Sequence, residues 1–152
     1  LNFIKLLNDS KELNHVKPHG ALYNDCAKNE NIATILIECI HECCPHATLF
    51  TLPESKLAKK AKSKDIIVCK EAFLDRGYMD NGQLQPRGKE GALITNSNDI
   101  FKRLKNLLLD DKIQTVNKNW INIDADTYCL HGDHPNIVEN LKDVLSMYNK
   151  II

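Results

Sequence analysis

The sequence predicts an α/β fold built on parallel strands, and three observations carry the prediction. Short apolar runs alternate with stretches of helical spacing along the chain. One run, IIVC at 66–69, is apolar without interruption, the character of a strand covered on both faces. Three dense patches of charged residues and glycine, at 16–24, 71–87 and 129–133, each follow a strand-like run. In parallel α/β proteins chemistry collects beyond the carboxyl ends of the strands.

The elements are justified in chain order. Leu1, Ile4 and Leu7, with Phe3, suit one face of an opening helix, so the chain is expected to begin in mid-domain. Asn14 to Lys17 is a brief strand, and Pro18 disfavours helical geometry at Lys17. A helical pattern runs from Ala21 to Cys44, with a break between Lys28 and Asn31, and Pro45 ends it. Ala47 to Leu52 reads as a buried strand. Pro53 and Glu54 open a helix to Lys64 that turns Leu57, Ala58 and Ala61 inward and its lysines outward. Ile66 to Lys70 is the next strand. The loop from Asp75 to Thr95 holds four glycines and one proline, and long loops of that kind in compact domains are functional or disordered. Asn96 or Ser97 caps a helix to Asp111 that buries Ile100, Leu104, Leu107 and Leu108. Ile121 to Ile123 and Thr127 to Leu130 are further strands. Pro135 starts a last helix whose Ile137, Val138, Leu141, Val144, Leu145 and Tyr148 fall at helical spacing.

Length and composition bound the function. A chain of 152 residues fits one ordinary domain and leaves no room for a second complete one. Lys plus Arg and Asp plus Glu number 20 each, spread along the chain, so no broad electrostatic footprint for nucleic acid or an anionic membrane is expected. Small molecules and proteins are the expected partners. No apolar run approaches the roughly 20 residues that cross a bilayer, and no basic region precedes an apolar one, so a cytoplasmic chain is expected. The six cysteines lack the spacing of a secreted disulfide scaffold and are expected as reduced thiols.

Within the first patch, Lys17 and His19 follow a strand and Gly20 lets the backbone turn into a helix. A lysine and a histidine together can hold an anionic or carbonyl oxygen and move a proton, although a surface turn with a capping role has the same residues. Tyr23 lies one turn further on and can face the same mouth. In the second patch Glu71 ends a strand, with Asp75 and Arg76 shortly after. Paired carboxylates near a guanidinium can position water, a metal or an anion, and equally can tie down a loop. Arg87 is a second candidate anion clamp. In the third patch His131 and Asp133 flank Gly132, and a histidine beside a carboxylate is the usual arrangement for a general base or a metal ligand. The alternative is an aspartate capping the last helix.

Two look-alikes are set aside. GQLQPRGKE at 82–90 has five residues between its glycines where a phosphate-binding loop has four, and Glu90 replaces the Ser or Thr that should follow the lysine. Cys39, His41, Cys43, Cys44 and His46 resemble zinc ligands by composition, but on a helix His41 points away from the face shared by Cys39 and Cys43. No metal-ligand set is assigned.

VKPHGALYN at 16–24, EAFLDRGYMDNGQLQPR at 71–87 followed by GALI, and CLHGDHPNIV at 129–138 together resemble the motifs of the LamB/YcsF family. The resemblance covers essentially the whole chain but corresponds to the later part of the family pattern. The earlier part, with an acidic segment near its start and further histidine motifs, has no counterpart here. The resemblance implies the C-terminal portion of a distorted (β/α) barrel, of the type seen in sugar deacetylases. It also implies hydrolysis of the lactam 5-oxoproline to L-glutamate coupled to ATP, as the A subunit of an assembly with B and C subunits. Lys17, Arg76 and Arg87 would then serve the substrate carboxylate, phosphoryl charge or oxyanion, and Tyr23 would join them in binding substrate. His19, Glu71, Asp75, His131 and Asp133 would handle protons and water. Two other readings stay open: a metal-dependent deacetylase acting on a sugar-like substrate, and a non-catalytic fragment that needs an N-terminal complement.

Overall fold

The computed structural model describes residues 13–133 and 137–149, which divide into two compact units at Glu71/Ala72. The opening helix expected at Leu1 to Leu7, and Pro135, lie outside the described residues. Among the described residues no helix is long and apolar enough to cross a membrane.

The first unit is a parallel sheet with helices against it. Strand β1 (His15–Val16) pairs in parallel with β2 (Thr48–Thr51), in the register His15 to Thr48 and Val16 to Leu49. Strand β3 (Val68–Phe73) continues the parallel order, Leu49 opposite Val68 and Thr51 opposite Lys70. It starts two residues later than the sequence suggests, because Ile66 packs with the helices while Ile67 is exposed. Gly20 opens helix α1 (Gly20–Lys28) at φ +59°, a conformation that a side chain would strain. The expected break falls at Asn29, whose side chain caps α2 (Glu30–Cys43) by accepting from Asn31 N and Ile32 N at 3.0 and 3.3 Å. Helix α3 (Lys56–Lys62) is capped likewise by Ser55, which accepts from Ala58 N at 3.0 Å.

The alternation of the pleat sorts the side chains of this unit. Leu49 joins Ile37, Ile40, Leu57 and Ala61 in one fully buried apolar cluster beneath the helices. His15, Lys17, Phe50, Cys69 and Glu71 take the opposite face, and His15 stacks on Phe50 with centroids 5.0 Å apart. Apolar burial holds the helical side, which leaves the other face for polar groups.

The second unit begins with the end of β3. Strand β6 (Thr127–Cys129) lies beside it, and Leu74 N donates to Cys129 O at 2.9 Å. The loop after Asp75 is ordered by its own backbone: Gly77 N donates to Ala92 O, Gln85 N to Gly77 O, and Ile94 N to Asp75 O, all within 2.8–2.9 Å. Asn96 caps helix α4 (Ser97–Asp110), on which α5 (Ile137–Tyr148) packs. Ile100 and Leu107 are buried as expected, but Leu108 is exposed. In α5, Val144 and Asn140 face inward, whereas Val138, Leu141 and Leu145 stay exposed.

One element departs from the expected parallel order. Strands β4 (Lys112–Gln114) and β5 (Trp120–Asn122) form an antiparallel hairpin. Asp80 pins its turn by accepting from Thr115 Oγ1 at 2.5 Å and from the side-chain amides of Asn117 and Asn119 at 3.0 Å each. Those bonds hold the Asp80 carboxyl below the usual carboxylate range, the Thr115 bond first among them.

Gly77 is required by close approach. A Cβ there would stand 2.1 Å from the Gly91 carbonyl oxygen, a backbone atom that no rotamer change can move. Gly77→Ala is therefore expected to cost about 2 kcal/mol in urea unfolding. Gly88→Ala, whose Cβ meets nothing within 4 Å, is expected to stay within about 0.5 kcal/mol. Equal effects at the two glycines would contradict this account of the loop.

Candidate active site

Each unit holds one constellation. In the first, Lys17 Nζ forms an ion pair with Glu71 Oε1. The Glu71 side chain is 4% exposed and that of Lys17 is 19% exposed. Glu71 Oε2 is buried with no hydrogen-bond partner among the described residues, so this carboxylate retains accepting capacity. Tyr23 is buried in the same unit. His19 stands at the N-cap of α1 in extended backbone, exposed, and its ring makes no capping hydrogen bond. The helix-capping alternative for this histidine is thus not taken up.

In the second unit Asp75 is 1% exposed and is bound twice by one residue. His131 N donates to Oδ2 at 3.0 Å, and His131 Nδ1 lies 3.0 Å from both carboxylate oxygens. A carboxylate only accepts, so Nδ1 carries the hydrogen and Nε2 keeps its lone pair. Phe73 stacks on the imidazole, centroids 5.2 Å apart and planes 18° from parallel. The ring is thereby fixed in tautomer and in orientation while remaining 26% exposed. That is the arrangement of a general base or acid.

The pairing differs from the one the sequence suggests. Sequence neighbourhood puts His131 beside Asp133, yet Asp75 takes the ring, and Asp133 pairs with Arg87 at 3.2 Å on the surface. Arg87 holds the Asp133 carboxyl below the usual carboxylate range, through its hydrogen bond and its charge. Arg76 is buried and gives Nε to Ala92 O at 3.2 Å and Nη2 to Gln85 O at 2.7 Å, so its guanidinium fastens the loop. Burial pulls its pKa down, and the nearby Arg87 charge adds to the effect. Arg87, half exposed, is within reach of an anion.

Two residues of the site, Phe73 and Tyr78, escape a reading of the sequence. The signal for Phe73 is present, since it precedes Asp75 by two residues and the pleat puts alternate residues on one face. Tyr78 accepts from Phe73 N at 2.8 Å and is fully buried, which nothing in its sequence neighbourhood announces. Among the described residues no group of three or more His, Cys, Asp or Glu side chains is placed to hold a metal ion. All six cysteines are free thiols, and burial raises those of Cys26 and Cys44.

The Lys17–Glu71 pair makes a stability prediction. Lys17→Ala strands a buried carboxylate and is expected to cost about 3 kcal/mol in urea unfolding. In a double-mutant cycle with Glu71→Ala, the double variant should lose less than the sum of the singles, by about 1 kcal/mol or more. Strict additivity would show that the pair does not interact.

Known proteins share these motifs. The LamB/YcsF family matches residues 4–150. The 5-oxoprolinase A subunit of Pyrococcus horikoshii is 41% identical over 128 residues, covering 84% of this chain and 50% of the relative. That of Pyrococcus furiosus is 40% identical over 128 residues, with the same coverage of 84% and 50%. The chain thus spans about half the length of the curated relatives it matches. The crystal structure of a lactam utilization protein from Thermus thermophilus superposes with a TM-score of 0.79 at 28% identity, over 94% of this chain and 58% of that one. With its whole described length inside the family match, and with the three motifs at the polar ends of its strands, this chain belongs to the LamB/YcsF family.

Proposed function

We propose that the chain takes part in hydrolytic ring opening of 5-oxoproline to L-glutamate, coupled to ATP, as part of a multi-subunit 5-oxoprolinase with B and C subunits. The observation that carries the reading is the Asp75–His131 dyad, an oriented imidazole with one nitrogen left to accept a proton. Support at family level comes from relatives named as the A subunit of 5-oxoprolinase and from a structurally similar lactam utilization protein. The parallel order of β1, β2 and β3 is compatible with part of a (β/α) barrel, and we adopt that architecture within the proposal.

The reaction sets clear demands. A five-membered lactam is a stabilised amide, so its carbonyl needs activation before water adds. ATP, as co-substrate, transfers its terminal phosphoryl group to the carbonyl oxygen and leaves as ADP, and once the ring is open a second water releases that group as inorganic phosphate. His131 Nε2 takes the proton of the attacking water as the carbon–oxygen bond forms. It returns a proton to the ring nitrogen as the carbon–nitrogen bond breaks, so that ring opening yields a carboxylate and an amine. Asp75 keeps Nδ1 protonated and offsets the imidazolium charge in between. Arg87, held only at the surface by Asp133, has the exposure and charge to meet an anionic group of a substrate. In the first unit, taken by itself, Lys17 oriented by Glu71 has the charge to meet an anionic group.

The test is turnover of 5-oxoproline by the assembled enzyme, followed as glutamate released. His131→Ala is expected to lower kcat by about 10² to 10⁴ fold. Asp75→Asn should lower kcat with KM little changed, because it acts on the base and not on binding. Full turnover in His131→Ala would overturn the assignment.

A further inference from the structure

Arg103, on α4, stands outside the dyad, yet two of its contacts lie one step away from it. Its Nη1 donates to the backbone oxygen of Arg76, the residue that follows Asp75. Its guanidinium carbon sits 5.7 Å from the Tyr78 ring centroid, within cation–π range. The other nitrogen, Nη2, reaches Gln114 O at 3.4 Å, at the end of β4. One part-buried side chain thus ties the long loop, an aromatic ring and the hairpin to the helix.

The first two contacts lead to different members of the dyad. Asp75 O already accepts from Ile94 N at 2.9 Å, and Arg103 engages the next carbonyl along the chain. Two successive carbonyls are then fixed, which fixes the backbone that carries the Asp75 carboxylate. On the other route, the Tyr78 hydroxyl accepts from Phe73 N at 2.8 Å, and Phe73 stacks on the His131 imidazole with centroids 5.2 Å apart. Holding the Tyr78 ring therefore holds the residue against which the imidazole rests.

The task suits an arginine. A planar fork can span two carbonyls while its face lies on an aromatic ring, whereas an ammonium on a flexible stem is a point charge. Burial pulls the pKa of Arg103 down to about 10, opposed by Tyr78, Asp75 and Asp99, so it is still a cation at neutral pH.

We infer that Arg103 is a positioning residue for the Asp75–His131 dyad, holding the carboxylate through Arg76 and the imidazole through Tyr78 and Phe73. Its effect on catalysis rests on the proton-transfer role proposed for that dyad.

The experiment follows solvent exchange of the His131 Nδ1 proton by ¹H–¹⁵N NMR in the full chain, and kcat and KM for 5-oxoproline in the assembled enzyme. Arg103→Lys keeps the charge and removes the fork. It is expected to speed exchange of the ring proton about tenfold, and to lower kcat about tenfold with KM changed by less than about twofold. Tyr78→Phe, which removes the hydroxyl that Phe73 N uses, should speed the exchange likewise. Asn140→Ala, which removes a tie between α5 and Thr95 O, should leave both the ring and kcat unchanged. A wild-type exchange rate in Arg103→Lys or in Tyr78→Phe, or a wild-type kcat in Arg103→Lys, would overturn the inference. Equal loosening in Asn140→Ala would overturn it too, since that marks general softening. If Arg103→Lys does not fold, the exchange rate in Tyr78→Phe decides in its place. If the unaltered enzyme does not turn over 5-oxoproline, the proposed reaction falls, and the ring measurement still decides for or against Arg103.

Discussion

The buried carboxylate of Asp75 is the constraint on which the second unit depends. Both its oxygens are engaged by His131, through the backbone N–H and the ring, and its own carbonyl accepts from Ile94 N at 2.9 Å. One residue therefore joins the end of β3, the return of the long loop and the patch that follows β6. At 1% exposure the carboxylate has no water to fall back on, so losing any of these donors leaves a desolvated acceptor. The same demand that stabilises the fold sets the chemistry, because satisfying the carboxylate commits Nδ1 as a donor and leaves Nε2 as the reactive nitrogen.

Around that anchor, the glycine-rich loop is a frame. Arg76 fastens two of its carbonyls, Gly77 and Gly91 approach more closely than a side chain would permit, and the Tyr78 hydroxyl reaches back to Phe73 N. Tyr78 thus links the loop to the residue that stacks on His131. Packing, hydrogen bonding and proton chemistry are carried by overlapping residues, so substitutions that loosen the loop should also disorder the ring.

Periodicity and capping residues reveal the three parallel strands and most of the helices, because each is encoded locally: Asn29 and Asn96 cap where the sequence breaks, whereas the helix expected from Pro53 starts at Lys56 behind Ser55. Of the β4–β5 hairpin only the second strand is legible, as Ile121 to Ile123; β4 is too short to show alternation, and the turn is pinned from Asp80, some 35 to 39 residues away. The last helix misleads for a related reason. Its apolar positions Val138, Leu141 and Leu145 fall at helical spacing, but Asn140 faces inward, where its Nδ2 reaches Thr95 O at 3.3 Å. For the site, strand-end position finds Lys17, Glu71, Asp75 and His131 as residue types, while their partners need the fold. Proximity in sequence suggests His131 with Asp133, and the three-dimensional arrangement gives the ring to Asp75, 56 residues away.

The most direct measurement of the central claim is the ring tautomer of His131, read by ¹⁵N NMR at alkaline pH, where an imidazole is neutral. The account predicts hydrogen on Nδ1 and a bare Nε2, with the preference lost in Asp75→Asn. Hydrogen on Nε2 in the unaltered protein would contradict it.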